Sequence, residues 1–177
     1  MIETERSYVN SLKILEESFI TPLKSKELLP PLLLSQIFSC IPELASVHAG
    51  LLGKLEEGLK PAVWTTPVGE IFLDALRPLE EQGLYSRYVS NYEEAMEALG
   101  KAQKSRGFVA FLDLTFSNPR ITQSKLENYL IMPIQRMPRY NLLFRELLSS
   151  TPQEAQDYPS LTHTSKTLQN LSTSINT

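Results

Sequence analysis

Leu126 to Leu148 reads LENYLIMPIQRMPRYNLLFRELL, and this stretch decides the fold. At 3.6 residues per turn, Leu126, Leu130, Met137, Tyr140, Phe144 and Leu148 share one side, a burial stripe long enough for a core helix. Glu127, Asn128, Gln135 and Arg139 fall on the opposite, solvated side. Ile131, Met132 and Leu142 break that division, and Ile134 sits at the margin of the stripe. Apolar side chains grouped on a polar face mark a contact surface. Either another helix of the same domain covers them or an external partner does. Pro133 and Pro138 each remove a backbone donor and clash with the preceding turn. The stripe keeps its phase on both sides of them, so the stretch is expected to form one long bent helix.

Working outward, Tyr8, Leu12, Leu15, Phe19 and Leu23 recur at alternating fours and threes, which predicts a first helix over Ile2 to Leu23 with Thr4 as its cap. Leu28 to Pro31 reads as a turn or a short helical piece. Ser35 is a suitable cap for a second helix running to about Leu59, bent at Pro42 and ended by Lys60-Pro61. Thr66-Pro67 supplies a cap and a first-turn proline for a helix over Val68 to Leu79, closed by Gln82-Gly83. Tyr85 to Lys101 follows, with Tyr85, Tyr88, Val89, Tyr92, Met96 and Leu99 inward, then a compact apolar piece from Phe108 to Phe116. Thr122 or Ser124 leads into the central stretch, and a last helix runs from about Pro159 to the end.

These patterns, with only 7 glycines in 177 residues, predict one all-helical domain with a real core. A formal charge of −3 gives no global attraction to nucleic acid or an anionic membrane. The lone Cys40 lies in apolar Ile37-Phe38-Ser39-Cys40-Ile41, reads as a core residue and suits a reducing compartment. No run is long and apolar enough to span a membrane, and no signal peptide is evident, so a cytoplasmic location is expected.

The sequence argues against covalent chemistry. Gly50 to Leu55, GLLGKL, lacks the spacing and the following Ser or Thr of a phosphate-binding loop. His48 and His163 are isolated, and one cysteine does not complete a zinc site, so no metal or other cofactor is expected. Glu16-Glu17, Glu56-Glu57 and Glu80-Glu81 read as solvated helix faces. No catalytic residue is assigned.

The order Pro133-Ile134-Gln135-Arg136, then Pro138-Arg139-Tyr140, then Leu142-Leu143 resembles the third conserved region of the Dbl-homology domain, the exchange-factor domain for Rho-family GTPases. Glu3-Thr4-Glu5-Arg6-Ser7-Tyr8-Val9 resembles the family's first conserved region, so the resemblance covers essentially the whole chain. It implies an elongated all-α multi-helix bundle, residues 1–177 forming a single domain. It also implies a guanine-nucleotide exchange factor that remodels the switch regions of a Rho or Rac type GTPase through binding energy alone.

The implied contact surface joins the first helix, the central helix and the last one. It comprises Thr4, Ile131, Met132, Ile134, Gln135, Arg136, Gln169 and Asn170. Ile131 and Ile134 match positions that the family uses for selectivity. In this register the family's switch II lysine is Met132 and its last-helix asparagine is Gln169, with Asn170 beside it. Its switch I glutamate would fall immediately before Met1. A pleckstrin-homology domain usually follows in the family, which implies a fragment of a longer protein carrying a membrane-targeting domain elsewhere. Two rival readings stand beside exchange. One is a Dbl-like module that binds a GTPase without efficient exchange. The other is a helical scaffold in which Ile131 and its neighbours are buried.

Overall fold

The computed structural model describes residues 1–60, 63–64 and 67–175. The chain enters as α1 (Ile2–Ile14), widens into a π turn over Leu15–Ile20 and continues as α2 (Thr21–Ser25). The predicted first helix is thus one nearly unbroken element with an extra residue in its middle. Thr21 donates its N–H to Glu16 five residues back, and Pro22 next to it has no N–H whose partner the wider turn could disturb. Thr4 is not a cap: its hydroxyl bonds the Met1 carbonyl from inside the first turn.

The second predicted helix is two. α3 (Pro31–Phe38) starts four residues before Ser35, whose hydroxyl bonds Leu32 inside the helix instead of capping it. Ser39 at φ 44° turns the chain sharply, and α4 (Ile41–Gly58) starts with Pro42 in its first turn. Pro42 therefore begins a helix instead of bending one, the position where its missing donor costs nothing. The end expected at Lys60-Pro61 and the cap expected at Thr66 involve Pro61 and Thr66, which lie outside the described residues. Among the described residues, strand is confined to β1 (Leu59–Lys60) and β2 (Val63–Trp64), an antiparallel pair matching Leu59 with Trp64.

α5 (Val68–Glu81) and α6 (Leu84–Ala102) are joined at Gly83, whose left-handed φ of 57° a side chain would resist. α7 (Arg106–Phe116) is followed by a loop fastened from below, where the Tyr129 hydroxyl accepts the Thr122 and Gln123 N–H groups. Neither Thr122 nor Ser124 caps the next helix, which starts after Lys125.

The central stretch is α8 (Leu126–Leu130) and α9 (Met132–Ser149), interrupted at Ile131. Pro133 explains the interruption. It offers no N–H to the Tyr129 carbonyl four residues back, and one residue further on the Leu130 carbonyl accepts the Tyr88 hydroxyl at 2.7 Å. Pro138 sits within α9 without ending it. Of the predicted stripe, Leu126, Leu130, Met137, Tyr140 and Phe144 are buried, and Leu148 is half-buried.

α10 (Tyr158–Ile175) folds back along α9 and packs on α5, α5 on α4, and α4 on α1, while α3 packs on α6. Two aromatic knots fill the interior. Phe19 lies 5.5 to 6.4 Å from Phe111, Phe116 and Tyr129, and Phe72 meets Tyr140 and Phe144 at 5.3 and 4.8 Å. No single helix among the described residues is long and apolar enough to cross a membrane. α3 and α4 reach that length and composition only together, bent by 41°.

At the α5–α10 crossing the two helix backbones approach closely. Asp157, just before α10, accepts the Val68 N–H at 3.0 Å and caps α5 from another part of the chain. Thr164 on α10 donates to the Gly69 carbonyl at 2.9 Å. A Cβ at Gly69 would stand 2.6 Å from the Leu161 nitrogen and closer still to the Ser160 backbone. Gly69→Ala is therefore expected to lower stability by about 1–3 kcal/mol, since two helix backbones must separate. Gly100→Ala on α6, where nothing lies within 4 Å, should raise it by a few tenths to about 1 kcal/mol. Thermal denaturation of the two variants in parallel reads opposite shifts.

Candidate functional site

α1 and α9 meet along a cleft of about 240 Å³, lined by Glu3, Thr4, Ser7 and Tyr8 from one helix and Met132, Gln135, Arg136 and Arg139 from the other. The structure brings four of the sequence-predicted residues together here: Thr4, Met132, Gln135 and Arg136. Thr4, Gln135 and Arg139 are exposed, and Met132 is half-buried against the core. Ile131 and Ile134, also half-buried, lie at the α8–α9 break and in the first turn of α9 but do not line the cleft. Leu142, on the solvent side of α9, is 55% exposed.

Gln169 and Asn170 do not join this group. The Asn141 amide donates to the Ser172 hydroxyl at 2.7 Å, which fixes α10 against the middle of α9. Gln169 precedes Ser172, on the side away from Met132. At 1.5 Å of rise per residue, it lies roughly 18 Å along the helix axes from Met132. Asn170 lines a separate depression with Glu80, Gly83 and Ser86 at the α5–α6 turn.

Arg136 departs furthest from expectation, because only 2% of it is exposed. Its guanidinium points inward, pairs with the buried carboxylate of Glu5 and lies over the rings of Tyr140 and Tyr8, at 4.4 and 5.1 Å. Glu5 also accepts the Tyr140 hydroxyl at 2.5 Å and His48 Nδ1 at 2.8 Å. His48 Nε2 meets the Tyr85 hydroxyl at 2.9 Å, and that hydroxyl meets Tyr8 at 3.3 Å. With Nδ1–H donating to Glu5, Nε2 accepts from Tyr85, and Tyr85 accepts from Tyr8, so each of these three side chains is satisfied. The Arg136 Nε atom is buried without a partner.

The electrostatics follow from this arrangement. Burial alone pushes the Glu5 pKa up, but the hydrogen bond from His48, the charge of Arg136 and the Tyr140 hydroxyl outweigh it. The carboxyl consequently titrates below its ordinary 4.5. Burial drives the phenols of Tyr8, Tyr85 and Tyr140 well above their usual range, so all three remain protonated. The site's apparatus is thus a polar cleft over a buried, paired charge.

Sequence reasoning missed Glu5, His48 and Tyr85 as a unit, and it missed Arg139 as a cleft residue. The signal was helical phase. Glu5 continues the buried series Tyr8, Leu12, Leu15, Phe19. His48 falls in register with Leu44, Leu51 and Leu55, and Arg136 with Pro133, Tyr140 and Phe144. A carboxylate, an imidazole and a guanidinium on three burial stripes require one another.

Removing one partner of a buried pair strands the other, so Glu5→Ala is expected to cost about 3–5 kcal/mol in chemical denaturation. The pH dependence has a definite sign. A carboxylate whose folded pKa is depressed contributes stability that is present above its unfolded pKa and is lost as pH falls through the folded one. Acid titration of the unfolding midpoint should therefore fall more steeply below about pH 4.5 in the wild type than in Glu5→Gln.

With this geometry in view, the chain was compared with known proteins. The RhoGEF domain model matches residues 1–176. The myosin-M heavy chain of Dictyostelium discoideum is 32% identical over 177 residues, 99% of this chain and 10% of that protein. Rho guanine nucleotide exchange factor 17 of Homo sapiens is 31% identical over 180 residues, covering 99% of this chain and 9% of its own length. The chain thus spans about a tenth of the curated relatives it matches. In fold it is similar to the DH/PH domains of PDZ-RhoGEF in complex with GTP-γ-S activated RhoA. The TM-score there is 0.87 at 21% identity, covering 99% of this chain and 50% of that one. A structure of the Vav1 exchange factor gives a TM-score of 0.85 at 27% identity, covering 99% and 46% respectively. The all-α bundle is therefore that of the Dbl-homology domain, and the chain belongs to the RhoGEF domain family.

Proposed function

We propose that this domain promotes guanine-nucleotide release from a Rho-family small GTPase, with the α1–α9 cleft and the apolar residues beside it as the docking surface. The observation that carries the reading is this part-apolar, part-cationic surface on a chain that matches the RhoGEF family from end to end. Relatives of the domain are named as Rho exchange factors, and PDZ-RhoGEF DH/PH domains form a complex with RhoA.

The work is done by differential affinity. A GTPase holds its nucleotide with its phosphate loop, magnesium and two switch segments. A surface that binds the nucleotide-free arrangement more tightly than the loaded one favours release, whereas equal affinity would shift nothing. Ile131, Met132 and Ile134 offer apolar area for a switch segment. Gln135 and Arg139 offer the donors that fix its orientation, and the Thr4 hydroxyl, which donates to the Met1 carbonyl, offers its oxygen as an acceptor. Arg136 supports this surface from beneath, and Gln169 and Asn170 are left outside its centre. No covalent step is involved, and the site of action is the cytoplasm.

Fluorescent-nucleotide release from a Rho and Rac panel tests the proposal. The wild-type domain should accelerate release from at least one member, and binding without acceleration would replace exchange by a binding role. Ile131→Glu should reduce the rate by about a hundredfold or more, because the carboxylate must be desolvated under the switch segment. Arg139→Glu should reduce it at least about tenfold through lost donors and reversed charge. Leu32→Glu, on the exposed side of α3 away from the cleft, should leave release unchanged.

A further inference from the structure

The buried polar residues beneath the cleft form one run that leaves it and returns. The run begins at Tyr8, which lines the α1 wall, and passes to Tyr85 on α6 at 3.3 Å and to His48 on α4 at 2.9 Å. From there it reaches Glu5 on α1 at 2.8 Å and re-enters the cleft at Arg136 on the α9 wall. The Arg136 guanidinium closes the ring by lying over Tyr8, 5.1 Å from its centroid. Tyr140 braces the far side, 2.5 Å from Glu5 and 3.2 Å from His48 Nδ1. Both walls are thus held from behind by α4 and α6, helices that contribute no lining residue.

We infer that Tyr85 and His48 are positioning residues for exchange, setting the placement of Tyr8 and Arg136 and through them the separation of the α1 and α9 walls. The inference rests on the exchange reading and deepens it. Neither residue can touch a partner, since Tyr85 is 1% exposed and His48 0%. Tyr85 connects through a hydroxyl whose loss leaves the side-chain volume nearly intact, so packing and positioning can be separated there. A supporting shell that loosens by a fraction of an ångström degrades a binding constellation before it unfolds the fold. A purely structural role would instead lower the unfolding temperature and leave the rate per folded molecule alone.

The test measures nucleotide release against GTPase concentration, well below the unfolding midpoint, for the wild type, Tyr85→Phe, His48→Asn, Tyr8→Phe and the Tyr8→Phe/Tyr85→Phe pair. Tyr85→Phe removes the hydroxyl joining Tyr8 to His48. His48→Asn keeps a donor towards Glu5 and drops the acceptor towards Tyr85. The expected result is a fall of about two- to tenfold in the saturating rate for each single variant, with the folded fraction by circular dichroism unchanged. The double variant should lose no more than either single one, because both cut the same run. Wild-type saturating rates in both Tyr85→Phe and His48→Asn overturn the inference while leaving the exchange reading intact. Failure of both to fold also overturns it, because the residues would then be scaffold. A wild-type domain that releases no nucleotide overturns the reading and the inference together.

Discussion

A carboxylate and a guanidinium drawn 131 residues apart in sequence and shut away from water impose the main geometric constraint on this bundle. Desolvating two ions costs several kcal/mol each, and their attraction at short range offsets that cost only if the remaining lone pairs and protons also find partners. Glu5 achieves this with three donors, from Arg136, Tyr140 and His48. The pair contributes little as net stability, since an apolar replacement of the same shape would do as well. Its effect is on geometry. Any packing of α1 against α9 that separates Glu5 from Arg136 leaves a charge stranded in the core, which disfavours neighbouring arrangements that hydrophobic burial alone would tolerate.

The same helix serves interior and surface because Pro133 divides it. The Leu130 carbonyl at the α8–α9 break accepts the Tyr88 hydroxyl, and the half-buried isoleucines stand at the break and in the first turn of α9. Ile131 itself keeps helical dihedrals, and Gln135 still donates to its carbonyl at 3.2 Å, so it stays in phase with Gln135 as an apolar residue on a polar face. The floor of the neighbouring polar cleft, Tyr8 and Arg136, is buried and bonded into the core network.

Most of the fold was legible because burial stripes are local. The Tyr8 series, the Tyr85 series and the Leu126 series each show their period within a single segment, and the helices follow. The breaks were less visible. Ser39 with its positive φ and the π turn at Leu15–Ile20 are decided by what packs against them, not by residues that announce a turn. Half of the candidate site was readable too: the family motif led to Thr4, Met132 and Gln135, which the fold does bring together. Arg136 was in the right place with the opposite orientation. A charged residue in a recognition motif looks like a contact until its helical phase is compared with that of Glu5 and His48. Gln169 and Asn170 depend on how far α10 slides along α9, a distance that no local pattern encodes.

The cap of α5 has a consequence for local opening. Among the described residues, the acceptor for the first free N–H groups of α5 is Asp157, 89 residues on from Val68. Without Asp157 in place, the Val68 and Gly69 N–H groups lose that acceptor, and the first turn of α5 is more open to fraying. The start of α5 and the start of α10 are therefore coupled, and solvent protons reach those amides whenever α10 lifts away, even while the rest of α5 stays wound.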